Sequence, residues 1–67
     1  MGVAKVVELT ATSKKGFDDA VQQGIRRASK TLSGVRGAWV KSMKVEVVDG
    51  KVVEYRVALK VTFVLTD

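Results

Sequence analysis

Hydrophobic and polar positions divide this chain into four segments. Residues 3–11, Val-Ala-Lys-Val-Val-Glu-Leu-Thr-Ala, are rich in β-branched side chains and predict a strand. Thr12-Ser13 marks a helix start, with Ser13 as the expected N-cap. Phe17, Ala20, Val21, Gly24, Ile25, Ala28 and Leu32 follow at spacings of three and four, one apolar stripe on a helix over 14–33. Asp18 and Asp19 fall in its early turns and Arg26, Arg27 and Lys30 in its later ones, as the helix dipole favours. Gly34 is expected just past the helix end, as the C′ residue. Gly24 lies on the apolar stripe, where glycine costs about 1 kcal/mol of helix propensity. Its simplest use is close approach of the helix to a sheet.

Residues 36–48 and 51–66 predict two long strands around Asp49-Gly50. In the second, Val53, Tyr55, Val57, Leu59, Val61, Phe63 and Leu65 alternate with Glu54, Arg56, Ala58, Lys60 and Thr62, giving a core face and an outer face. In the first, the apolar phase switches between Val40 and Met43. One extra residue near Lys41-Ser42, a β-bulge, restores a single face. A three-residue loop of Val48, Asp49 and Gly50 would pair Val47 with Lys51, Val45 with Val53, Met43 with Tyr55 and Lys44 with Glu54. Val40 would then oppose Val57, and Ala38 would oppose Leu59. Trp39 would oppose Ala58 on the outer face, near Arg56 and Lys60. A two-residue loop would set Val47 against Val52 and spoil both faces, so the three-residue loop is preferred. The expected fold class is α+β: β-α-β-β, a three-stranded antiparallel sheet partly wrapping one helix, in a single domain over 1–67.

Length changes the picture. A chain of 67 residues buries only about 60% of its unfolded surface, and a core of that size rarely supplies more than ~3–5 kcal/mol. Small proteins usually add a staple. With no Cys and no His, disulfides, thiolate metal sites and the commonest zinc ligand and general base are all excluded. Self-association is the staple that remains. No apolar run approaches ~18 residues, and Lys5 and Glu8 interrupt the N-terminal apolar segment. The expected protein is cytoplasmic, with no membrane partner.

The net charge is +5, but the basic residues are scattered and their longest runs are pairs. A solvated surface is the first reading, and nucleic acid is not the expected partner. The carboxylates Glu8, Asp18, Asp19, Glu46, Asp49, Glu54 and Asp67 form no convergent pair, and Ser33-Gly34-Val35-Arg36-Gly37 does not stand between a strand and a helix start. An enzyme is therefore not expected. Trp39, the only tryptophan, falls outside the core. It either fills a subunit interface, where Trp is enriched, or offers a flat face to a flat ligand. Arg56 shares that face and could meet an anionic or carbonyl-rich ligand, or simply pair with carboxylates. Lys44 is on the same face.

The strand Lys5-Val6-Val7-Glu8-Leu9, the Thr12-Ser13 helix start, the segment Ala28-Ser29-Lys30-Thr31-Leu32, and the stretches from Asp49 to Val57 and from Leu59 to Phe63 together resemble the dodecins. The resemblance runs in order over essentially the whole chain. It implies a hollow homododecamer and a non-enzymatic storage or buffering role with a flavin, riboflavin or FMN, as the bound molecule. It also implies paired flavins sandwiched between symmetry-related Trp rings, with a Gln on the pyrimidine edge. The family's stacking Trp falls at Gly37 here, its Gln at Arg56, and an Arg common in flavin binders at Val64. Trp39 is two residues beyond Gly37 and hence on the same face. The candidate ligand-binding set is Trp39, Arg56, Gly37 and Lys44, with any metal ligands unassigned. The alternative is a dodecin-like assembly whose pocket is lost or retuned to an anion or metal ion. A nucleic-acid-binding module ranks last.

Overall fold

The computed structural model describes residues 2–65. The order is β1 (Val3–Ser13), α1 (Phe17–Thr31), β2 (Val35–Val48) and β3 (Lys51–Leu65). The sheet is antiparallel, with β3 between β1 and β2. The expected β-α-β-β architecture is borne out. Alternation alone does not fix whether the first strand joins an edge or the middle; β1 is an edge, and the predicted end of the last strand at Thr66 falls outside the described residues.

β3 is central because its alternation is the cleanest. Val57, Leu59, Val61 and Phe63 are buried, and Leu59 and Val61 face Leu9 and Val7 across the β1 ladder. The helix buries Ala20, Gly24 and Ala28 against them. At Gly24 a Cβ would stand 2.7 Å from Leu59 Cδ1 and 3.2 Å from Ala11 Cβ, so the absent side chain sets the helix–sheet distance, as expected. Phe17 meets the Tyr55 ring edge-on at a centroid distance of 5.1 Å.

The helix is shorter than the apolar stripe suggested. Ser13 is not its N-cap; it ends β1, and Gly16 holds the N-cap position with no side-chain cap. The reason is local hydrogen bonding. The buried Ser13 Oγ accepts from the backbone N–H of Lys15 at 2.9 Å and of Gly16 at 3.4 Å, closing a turn that keeps those residues out of the helix. Its hydroxyl donates to Asp19 Oδ2 at 2.6 Å, where Gln23 Nε2 also donates at 2.6 Å. At the other end Leu32 is already extended, so Gly34 is not the C′ residue. It adopts φ +76 in the link to β2, where a Cβ would stand 2.8 Å from Val64 O, and its carbonyl accepts from Val64 N–H at 2.9 Å.

The Ser13 hydroxyl, with the Gln23 amide next and the Lys15 and Arg26 charges further off, holds the Asp19 carboxyl below its ordinary 3.8. A carboxyl depressed by folding adds stability that is complete above its unfolded value and is lost as pH falls through the folded one. Ser13→Ala is expected to cost about 1 kcal/mol at neutral pH through its loop bonds. Denaturant midpoints should show the gap to the wild type narrowing, without closing, as pH drops below about 4.

The hairpin departs from expectation. Val48 pairs with Lys51 and Val47 with Val52, so the loop is the two-residue Asp49-Gly50, with φ of 52 and 74. Those paired left-handed residues make a type I′ turn, whose twist matches the strands. The faces are rescued by a register shift between Glu46 and Val47. Opposite it, Val53 is the extra residue. The predicted bulge at Lys41 is present, between Val40 and Ser42, and a third shift lies between Val35 and Gly37. Val47 is therefore displaced by one residue, and every pair beyond that shift by two: Val45 faces Tyr55, Met43 faces Val57, Val40 faces Leu59, Trp39 faces Lys60 and Ala38 faces Val61. A two-residue displacement preserves each side chain's face while changing its neighbours.

The expectation that Ala38, Val40, Met43 and Val47 enter the core is not met. They lie on the helix side of the sheet, but the helix covers β1 and β3, and these β2 residues stay exposed.

Candidate functional site: the outer face of the sheet

The outer face is built from side chains that alternate with the core. Along β3 these are Arg56, Ala58, Lys60 and Thr62; the register sets Thr12, Thr10, Glu8 and Val6 beside them on β1, and Lys44, Ser42, Trp39 and Gly37 on β2. Two distinct groups occupy this face.

The first surrounds Trp39, which is 71% exposed. Lys60, directly opposite, holds its ammonium 5.8 Å from the centre of the Trp39 ring, a cation–π contact. Gly37 lies opposite Thr62 in the next row, and a Cβ there would meet nothing within 4 Å. Lys41, the bulged residue, reaches across β3 to Glu8 Oε1 at 3.1 Å.

The second group is ionic. Glu46 and Glu54 face each other directly across the ladder. Arg56 bridges them, Nη1 to Glu46 at 3.3 Å and Nη2 to Glu54 at 3.5 Å, and Lys44 Nζ reaches Glu46 at 3.8 Å. The expected Lys44–Glu54 pairing is replaced: Lys44 stands opposite Arg56, two like charges that share one carboxylate, Glu46.

Of the four sequence-predicted residues, the fold brings Trp39 and Gly37 together at one place and Arg56 and Lys44 together at another. The expected proximity of Trp39 to Arg56 does not occur. Arg56 and Lys60 are four residues apart on β3, about 13 Å at ~3.3 Å per residue. Lys60 and Thr62 are the neighbours that sequence reasoning undervalued. The signal was present in Val52-Val53, an apolar doublet that breaks alternation just as the Val40–Met43 segment does.

Arg56→Gln is expected to leave Glu46 and Glu54 opposed without their bridge. These side chains are 31–40% exposed, so solvent screening limits the cost to about 1 kcal/mol. Adding Glu46→Gln should recover most of it in thermal unfolding.

Two shallow clefts of about 380 and 310 Å³ sit at the ends of the helix, one lined by residues 15–19, the other by Leu32, Phe63 and neighbours. Neither reaches Trp39. Among the described residues no three His, Cys, Asp or Glu side chains converge on a metal-sized space. No described helix is long and apolar enough to cross a membrane.

The sequence profile of the Dodecin family matches residues 3–66. The dodecin of Thermus thermophilus is 38% identical over 65 residues, covering 97% of this chain and 94% of that one. The chain belongs to the dodecin family. Its fold agrees with that assignment. The dodecin of Streptomyces coelicolor superposes with a TM-score of 0.92 at 33% identity, over 98% of this chain and 94% of the other. A calcium dodecin of Mycobacterium tuberculosis, described as calcium-chelating with a novel calcium-binding site, superposes at 0.82 with 29% identity, over 96% and 91% of the two chains.

Proposed function

We propose that this dodecin assembles as a hollow, cytoplasmic homododecamer that binds a flavin, riboflavin or FMN, against Trp39 and stores it without chemical turnover. The single observation that carries the reading is the exposure of Trp39 on the outer face, flanked by the open ground over Gly37. A lone ring on a sheet is half of a stacking site, and a two-fold related copy would supply the other half. Assembly is supported by ten large hydrophobic side chains that are exposed among the described residues, and by the outer edges of β1 and β2, which pair with no other described strand. Trp39 and Gly37 are the proposed ligand contacts. Arg56 and Lys44, in the separate ionic group, are proposed as contacts only for the far end of a ligand that extends along the face from Trp39.

Riboflavin added to purified protein should lose its fluorescence by contact with Trp39, and native mass spectrometry should show a particle of twelve chains. A stable monomer at micromolar concentration would remove the assembly; an intact particle that leaves flavin fluorescence unquenched would remove the ligand.

A second reading has its own support. Glu46 and Glu54 face each other, and a similar chain is a calcium dodecin. An assembly that binds a cation at these carboxylates would release Arg56 from them. Calcium titration followed by calorimetry, with Glu46→Gln as control, separates this reading from the first.

A further inference from the structure

Lys60 holds a charge that the outer face does not balance. Its cross-strand neighbour on β1, Glu8, is the carboxylate closest in register, but Glu8 is engaged by Lys41 at 3.1 Å. Glu46 and Glu54 are engaged by Arg56 and Lys44. Among the described residues Lys60 has no carboxylate partner, and its ammonium rests 5.8 Å from the Trp39 ring centre instead. That contact is weak where water reaches it, about 0.5–1 kcal/mol.

A flat ligand stacked on Trp39 competes for the ring face that the ammonium now occupies. A neutral ligand displaces the cation and offers it at most an uncharged acceptor such as a ring carbonyl. A ligand with a phosphate or carboxylate accepts it in a charge-assisted hydrogen bond, stronger than the contact it replaces. The flexible four-carbon stem of Lys lets the charge follow the ligand. The open ground at Gly37, opposite Thr62, leaves room for the ring system on the other flank.

We infer that Lys60 is the specificity-determining residue of this face, making it a site for flat aromatic anions over their neutral counterparts. The inference rests on the proposal that Trp39 is a ligand platform. Riboflavin and FMN isolate it, because they share a ring and a ribityl chain and differ only in the phosphate. Calorimetric titration of the assembled protein at low salt should find FMN bound at least tenfold more tightly than riboflavin, with the difference shrinking as salt rises. Lys60→Met should bring the two within about twofold of each other, with riboflavin affinity held or improved, and Lys60→Arg should keep the preference. Equal affinities in the wild type, or a preference that survives Lys60→Met, would overturn the inference.

If neither flavin binds, the flavin proposal fails while Lys60 stays testable. 1-Naphthyl phosphate and 1-naphthol can be titrated through the fluorescence of Trp39, the only tryptophan. A phosphate preference that is lost in Lys60→Met sustains the inference, and equal or absent binding of both overturns it. 1-Naphthoate in the same titration tells a carboxylate site from one that demands phosphate.

Discussion

Replacing Trp39 with Ala is expected to abolish flavin binding while leaving the particle whole. Stacking of a heteroaromatic ring on an aromatic side chain is worth about 1–3 kcal/mol by alanine substitution. Two rings related by a two-fold axis would each contribute, so the loss should be at least about thirtyfold in affinity at roughly 1.4 kcal/mol per decade. Trp39 makes its contact with Lys60 on the outer face and takes no part in the protomer core, so the fold should not suffer. The competing role is an anchor between subunits. A buried ring of that kind costs ~3–5 kcal/mol when truncated, and the particle would fall apart. Flavin titration and native mass spectrometry on one sample distinguish the outcomes. Tight flavin binding that survives Trp39→Ala would place the ligand elsewhere.

The largest expected loss of stability is at Gly24. Its missing side chain is the space that Leu59 fills: a Cβ would meet Leu59 Cδ1 at 2.7 Å, Ala11 Cβ at 3.2 Å and Leu9 Cδ1 at 3.3 Å. Leu59 is fully buried, so its methyl has nowhere to rotate. Gly24→Val should push the helix off the sheet at a cost of about 3 kcal/mol, the upper part of the usual overpacking range. Gly24→Ala should cost less, because the gain of about 1 kcal/mol in helix propensity offsets part of the clash. The causal contact can be isolated. Combined with Leu59→Val, which removes the obstructing methyl, Gly24→Ala should be better tolerated than the two single effects predict when added. Simple additivity in urea denaturation would mean that Leu59 is not the obstacle.

The architecture was legible in the sequence because each element carried a separate periodic signal. The 3.6-residue stripe through Ala20, Gly24 and Ala28 and the strict alternation of β3 left few ways to combine them. The face of Trp39 was legible for the same reason, since alternation has a period of two. Its neighbours were not. Register depends on the turn and on every bulge between the turn and the site, and by composition the apolar doublet Val52-Val53 looks like regular strand. An error of two residues leaves all faces correct, but it takes Arg56 away from the ring and sets Lys60 directly opposite it instead of Ala58. The helix start failed differently. Ser13 does bond backbone N–H groups, as a cap would, but those of a turn preceding the helix, and composition does not tell the two uses apart. What covers β2 is a property of three-dimensional packing that strand alternation does not report.

The bare β2 strand has a thermodynamic consequence. It holds one hydrogen-bonded neighbour, and Met43, Val47 and Val48 stay more than half exposed, so an isolated protomer gains little by ordering it. Any copy that covers the strand binds the folded chain and not the unfolded one, and folding and association become a single equilibrium governed by mass action. Unfolding temperature should then rise with protein concentration, and dilution alone should act as a denaturant.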